Sequence, residues 1–238
     1  QLIEQEKMAS LGHLARGVAH EINNPLSFVT GNLSVLESRL AKLYPDENIK
    51  PIVVDIMNGT KRIAAIVQHL REFTRLDEAE RKFVNPAETV DNILTLIAGE
   101  MQQDIRIEKN IEQVPMIDCY PRDLNQAITQ ILLNSAYYVR ERNRVENRSV
   151  GHIAIHLRKA DDKHIELILE NDGFPIAPEI IAHIFEPFFT TKPIGKGTGL
   201  GLSTVYGIIQ RHHGQIRCVS EPLHPVQFIM TLPIALPL

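Results

Sequence analysis

The sequence predicts an α+β chain in two parts: a helical hairpin that dimerises into a four-helix bundle, then a two-layer sandwich of helices on a mixed sheet. Three observations predict it. Apolar residues recur three or four apart from Leu11 to Leu43. A second such run extends from Ile52 to Phe73. Beyond about residue 84, short alternating stretches interleave with helical ones.

The elements follow in order. Leu11, Leu14, Val18, Ile22, Leu26, Val29, Leu33, Leu36, Leu40 and Leu43 form one apolar seam of a long helix, and Tyr44-Pro45-Asp46-Glu47-Asn48 breaks it. Ile52, Ile56, Ile63, Ile66, Leu70 and Phe73 mark the second helix. Such a hairpin cannot bury its seam alone, and pairing two hairpins is the economical solution. A monomeric hairpin packed on the rest of the chain is the alternative. Asn85-Pro86-Ala87-Glu88 reads as a helix start, with Asn as cap, Pro at the first position and Glu closing a capping box. Ile105–Ile111 alternates as a strand, Pro121–Arg142 is a long helix, and His152–Lys159 and Ile165–Glu170 form a hairpin across Asp161-Asp162-Lys163. Gly201–His213 is helical, and Gln215–Ser220 and Gln227–Leu232 close the sheet.

Composition narrows the function classes. The 238 residues suit two compact domains, with 44% apolar and 23% charged residues. A net charge of −4 gives no whole-protein attraction to nucleic acid or anionic membrane. Cys119 and Cys218 lack metal-ligand spacing, and a reducing compartment fits them. No apolar run approaches the ~18 residues of a membrane helix. The first residue is Gln1, so a longer polypeptide is expected.

Three groups of residues can carry chemistry. His20-Glu21-Ile22-Asn23-Asn24-Pro25-Leu26 lies in the first helix. His20 falls between Val18 and Ile22, off the seam, where a neutral imidazole is a competent nucleophile near pH 7. Glu21 can hold or accept the other ring proton. Asn24 lies one turn after His20 and could orient a water. Pro25 removes a helix hydrogen bond and kinks the helix nearby. A lone exposed His in a helix is ordinarily inert, as His13 is read to be. The second group is Gly195-Lys196-Gly197-Thr198-Gly199-Leu200-Gly201-Leu202, running into a helix. Its backbone N–H groups favour phosphates, with Lys192 and Lys196 adding charge. The spacing is neither a Walker loop nor a dinucleotide fingerprint. Third, Asn134 sits within the apolar run of a helix, where an amide is a poor choice unless it is used. Its oxygen suits Mg²⁺; satisfaction by backbone is the plainer reading.

Together these residues resemble the sensor histidine kinases of two-component systems, over nearly the whole chain. His20–Leu26 is similar to the phosphoacceptor box, and Asn134 with its preceding leucines to the Mg²⁺-binding N box. Glu170–Ile176 resembles the adenine-site glycine box, Phe185–Lys192 the box that begins the nucleotide lid, and Gly197–Leu202 the second glycine box. The order and spacing of the five are the family's. The chain is nearest the subgroup with a His-Glu-Ile-Asn-Asn-Pro box and a short lid. Two departures stand out. Asn171-Asp172-Gly173-Phe174-Pro175 replaces Asp-Asn-Gly-x-Gly, which puts Asn171 at the adenine-binding Asp position and Pro175 at that of the second Gly. Gln130 stands where an Asn is common.

The resemblance implies a dimerisation and phosphoacceptor domain over residues 1–80 and an ATP-binding catalytic domain over 81–238. It implies ATP and Mg²⁺ as cofactors, a homodimer, and a response-regulator receiver domain as partner. His20, Glu21 and Asn24 would be catalytic. Asn134 would hold Mg²⁺ and Tyr138 would stack near adenine. Asn171, Asp172 and Gly173 would form the base site. Lys192, Lys196, Gly197, Thr198, Gly199, Leu200 and Gly201 would meet the phosphates. A cytoplasmic location is expected, with any membrane anchor in upstream segments. Two other readings stay open: a dimeric scaffold or phosphatase module with an impaired ATP site, and an ATP-driven machine of the same sandwich superfamily, which would lack the His-Glu box.

Overall fold

A computed structural model describes residues 22, 26, 29–36, 56, 59, 60, 63, 80–101, 104–193 and 197–235. The chain divides into two units, Gln1–Leu76 with Thr191–Thr198, and Asp77–Thr190 with Gly199–Leu238. In the first unit, residues 29–36 are helical, as are 22, 26, 56, 59, 60 and 63. Hydroxyls there fold back on the helix: Thr30 Oγ1 donates to the Leu26 carbonyl at 2.8 Å and Thr60 Oγ1 to the Ile56 carbonyl at 2.8 Å. Val29, Val35, Leu36, Ile56 and Ile63 are exposed in the single chain. Of the rest of the expected seam, Ile22 is exposed, Leu26 and Leu33 are half-buried, and the other positions lie outside the described residues.

The second unit opens with β1 (Lys82–Val84). The helix α1 (Pro86–Leu96) follows, with Pro86 in its first turn. Asn85 caps it, its Oδ1 accepting from the Ala87 N–H at 3.0 Å. Glu88 does not close the expected box onto backbone; its carboxylate instead accepts from the Asn85 side-chain amide at 3.0 Å. The short α2 (Ala98–Met101) and β2 (Ile105–Ile111) come next. Then β3 (Ile117–Cys119) pairs antiparallel with β1. This ribbon was not foreseen, because three residues are too few to show alternation.

The long helix α3 spans Pro121–Glu146. It outruns the predicted end at Arg142 by a turn, and Asn147 in the left-handed region (φ 53) terminates it by donating to the Asn143 carbonyl. The strands β4 (Gly151–Lys159) and β5 (His164–Asn171) form the predicted hairpin. Asp161 Oδ1 locks its turn by accepting from the Lys163 and His164 N–H groups at 2.7 and 2.9 Å. The remaining elements are α4 (Pro178–Ile181), α5 (Gly201–Arg211), β6 (Gln215–Val219) and β7 (Val226–Pro233). The helix α5 ends at Arg211, two residues before the predicted His213, which adopts φ 51.

The main sheet has the order β2-β4-β5-β7-β6. The β2–β4 pairing is parallel and the other three are antiparallel, so the sheet is mixed as expected. Ile165, Leu167 and Leu169 of β5 stand opposite Leu232, Met230 and Phe228 of β7, all buried. Leu124, Ile128, Ile131 and Leu132 of α3 and Val205, Ile208 and Ile209 of α5 complete the core. Each such side chain contributes roughly 1.5–3 kcal/mol. Cys119 and Cys218 are free, and burial pushes both thiols up to about 12. No described helix is long and apolar enough to cross a membrane.

Candidate functional site

The site builds up from α3 and α5. Leu200 begins α5 as a buried residue without a side-chain cap. Its carbonyl accepts from Ser203 Oγ at 2.9 Å, Thr204 Oγ1 at 2.8 Å and the Thr204 N–H at 3.0 Å, which fixes the first turn. Leu200 makes no side-chain cap on that turn, and the N-terminus of a helix favours an anion. Gly199 precedes it at φ 69, and a Cβ there would collide with the Phe188 backbone. Phe188 itself has φ 68. The glycine is required both by its dihedral and by this approach of two chain segments. Gly201 lies against Gln130 of α3, whose Oε1 would be 3.2 Å from an added Cβ. The Gln at the usual Asn position therefore packs on the start of the glycine-rich helix.

Along α3, Asn134 is half-buried, and among the described residues its amide takes no side-chain hydrogen bond. The plainer reading, an interior Asn satisfied by backbone, does not describe it. One turn on, Tyr138 is half-buried and stacks edge-on with Tyr137 at 5.2 Å. The Gly173 backbone lies against it, with an added Cβ 3.2 Å from Tyr138 Cβ.

At the end of β5, Asn171 shares the inward face with Leu167 and Leu169 and is 3% exposed. Its Oδ1 accepts from the Gly173 N–H at 3.1 Å, and its Nδ2 donates to Ser135 Oγ at 3.2 Å. Asp172 points elsewhere. Its Oδ1 accepts from the His152 N–H at 2.9 Å, and its Oδ2 is paired with Arg148. The loop carbonyls of Asp172 and Gly173 accept from Arg142 Nη1 at 3.0 and 3.3 Å. The structure thus brings Tyr138, Asn171 and Gly173 together, with Asn134 one turn before Tyr138 on the same helix, and turns Asp172 away. Ser135, Arg142 and Arg148 were missed. Ser135 could have been found by its place beside Asn134; nothing local marks the two arginines.

The far ends of the two helices are tied as well. His212 is buried; its Nδ1–H donates to the Ile208 carbonyl at 2.8 Å and its Nε2 accepts from the Tyr120 N–H at 2.9 Å. Arg211 lies 3.8 Å over the Tyr120 ring and pairs with Asp123 at 2.7 Å. Burial holds the His212 ring below its ordinary value.

Lys192, Gly197 and Thr198 belong to the first unit and are each half-buried, and burial lowers the Lys192 ammonium. His20, Glu21, Asn24 and Lys196 lie outside the described residues.

Two family models match the chain. One describes the His Kinase A (phospho-acceptor) domain, over residues 10–79. The other describes the histidine kinase-, DNA gyrase B- and HSP90-like ATPase, over residues 119–236. Among curated relatives, the sensor kinase CckA of Brucella abortus is 30% identical over 98% of this chain and 25% of its own length. The signal transduction histidine-protein kinase AtoS of Escherichia coli is 30% identical over 98% of this chain and 36% of its own. The chain thus spans about a quarter to a third of these relatives. Among solved structures, full-length ShkA with AMPPNP has a TM-score of 0.72 at 19% identity, covering 94% of this chain and 46% of that one. The histidine kinase ThkA in complex with the response regulator protein TrrA has 0.65 at 24%, covering 97% and 64%. At these identities the likeness is one of fold.

Proposed function

The chain belongs to the sensor histidine kinases of two-component systems, and from that premise we propose that it transfers the γ-phosphoryl of ATP to His20 and then to an Asp of a response-regulator receiver domain. The single observation that carries this reading is the joint made by α3 and α5. It sets an uncapped helix N-terminus beside Gln130, on the helix that also presents Asn134 and Tyr138.

Residues 1–80 would serve as the dimerising phosphoacceptor domain and 81–238 as the catalytic domain. The base would meet Asn171, Gly173 and Tyr138. The phosphates would meet Lys192, Lys196 and the Gly197–Gly201 backbone. The free amide of Asn134 fits a Mg²⁺ ligand, and a bound Mg²⁺ would neutralise phosphate charge. His20 attacks in line, the bond from phosphorus to the ADP oxygen breaks, and ADP leaves with the electron pair. Glu21 takes or holds the proton on the other ring nitrogen. The protein's contribution is chiefly positioning and charge neutralisation. In the reverse duty, Asn24 orients the water that hydrolyses the phosphorylated regulator. The working assembly is a homodimer in the cytoplasm, with any membrane anchor in upstream segments. The scaffold reading is less well supported, because the phosphate end keeps its glycines and open helix start.

The test is incubation with γ-labelled ATP. Label that is acid-labile and alkali-stable is expected in the wild type and absent from His20→Gln, which should still fold and bind nucleotide because His20 lies off the seam. Label persisting in His20→Gln sinks the assignment.

A further inference from the structure

The buried side chain at the base end of the site, Asn171, is an uncharged amide. Adenine presents an N6 amino donor and an N1 acceptor; guanine presents an O6 acceptor and an N1–H donor. A carboxylate only accepts, so it favours the N6 amino group and repels O6. An amide carries one acceptor and one donor arm and can match either edge.

Both carboxylates that flank Asn171 along the chain, Glu170 and Asp172, are engaged elsewhere. Asp172 is held by Arg148 and the His152 N–H. Glu170 alternates to the other face of the sheet, where its Oε2 accepts from Gln227 Nε2 at 2.7 Å. The loop carbonyls are already engaged by cations, that of Asp172 by Arg142 and Arg148 and that of Gly173 by Arg142, which weakens each as an acceptor for N6. What remains is Asn171. The Gly173 N–H fixes which amide atom is the oxygen. Of the two hydrogens on Nδ2, one goes to Ser135 Oγ. The other has only the Val226 carbonyl at 3.5 Å, the outer limit of a hydrogen bond. The site therefore offers a donor hydrogen held only by a long bond, which a base atom can displace, beside an acceptor with a spare lone pair.

Resting on the nucleotide-site reading above, we propose that Asn171 is a specificity-determining residue that relaxes base selection, so that 6-oxopurine nucleoside triphosphates occupy the same site as ATP. Adenine pairs N1 with Nδ2–H and N6–H with Oδ1. A 6-oxopurine pairs O6 with Nδ2–H and N1–H with Oδ1, after a small in-plane shift. Each base gains two neutral hydrogen bonds, so their affinities differ by about tenfold or less.

Calorimetric titration of the full chain with Mg·ATP, Mg·GTP and Mg·ITP tests this. ITP carries O6 and N1–H without the 2-amino group and isolates the edge that Asn171 would read. In the wild type, GTP and ITP are expected to bind within about tenfold of ATP. In Asn171→Asp, ATP should tighten by up to about tenfold while GTP and ITP weaken by at least about tenfold. The wild-type ratio decides by itself if that variant does not fold. Binding of ATP with GTP and ITP weaker by about a hundredfold or more overturns the base reading and leaves the kinase reading standing. An unchanged ratio in a folded Asn171→Asp also overturns it. Binding of none of the three overturns both.

Discussion

His212 shows how one buried side chain carries a pH dependence. The folded chain keeps the ring neutral, because its Nε2 must accept from the Tyr120 N–H and burial disfavours the charge. In the unfolded chain the ring takes up a proton below about pH 6.5. The unfolded state then binds more protons, so this residue's stabilisation is complete above that pH and declines as pH falls toward the lowered folded value. His212→Leu orphans the Tyr120 N–H and should cost about 1–3 kcal/mol at neutral pH. Urea melts at pH 5.5 and 7.5 check both parts: the variant should be less stable, and the gap between the two pH values should narrow. A gap of unchanged width means that other groups carry the acid response. Neither arm of this tie was legible in the sequence, since Tyr120 and His212 are far apart in the chain. Asn171 was legible, because alternation along β5 places it with Leu167 and Leu169. The tie of Asp172 to Arg148 was not, since it joins a loop to a residue beyond the end of α3.

Elements were read well where the pattern was long. The strand Ile105–Ile111, the start of α3 at Pro121 and the β4–β5 hairpin match the structure because each has several periods or an unmistakable turn. Their ends were less legible. Asn147 stops α3 by adopting a left-handed dihedral, which the intervening helix-compatible residues do not announce. The start of α5 depends on a single dihedral at Gly199. An Ala there would bear the left-handed cost of about 1–2 kcal/mol and would also drive a methyl into the Phe188 backbone. Gly199→Ala should therefore displace the first turn of α5 and reduce nucleotide affinity by at least about tenfold, with a smaller loss of global stability. Paired titration and melting experiments check this. Equal affinity in variant and wild type would mean that the first turn does not meet the phosphates.

At the scale of the whole molecule, the first unit leaves apolar side chains uncovered. Val29 is 46% exposed and Ile63 47% in the single chain. Apolar seams of this kind are seldom left to water, and a second copy is a natural cover. Light scattering should give twice the 26.9 kDa chain mass at micromolar concentration. A charge in the seam, Val29→Glu, should shift the equilibrium toward monomer without altering nucleotide affinity. A wild-type mass equal to one chain rules the dimer out. The sheet carries a consequence of another kind. The strand β2 finds its parallel partner β4 only after the chain has passed through β3 and the whole of α3, whereas β4 and β5 meet across a tight turn. Closing the longer excursion is entropically dearer and slower. The helix that presents Asn134 and Tyr138 is the body of that excursion. Nucleotide competence is therefore acquired late, once the refolding chain has closed this excursion and the still longer one from β5 to β7, and well after the hairpin at its centre has formed.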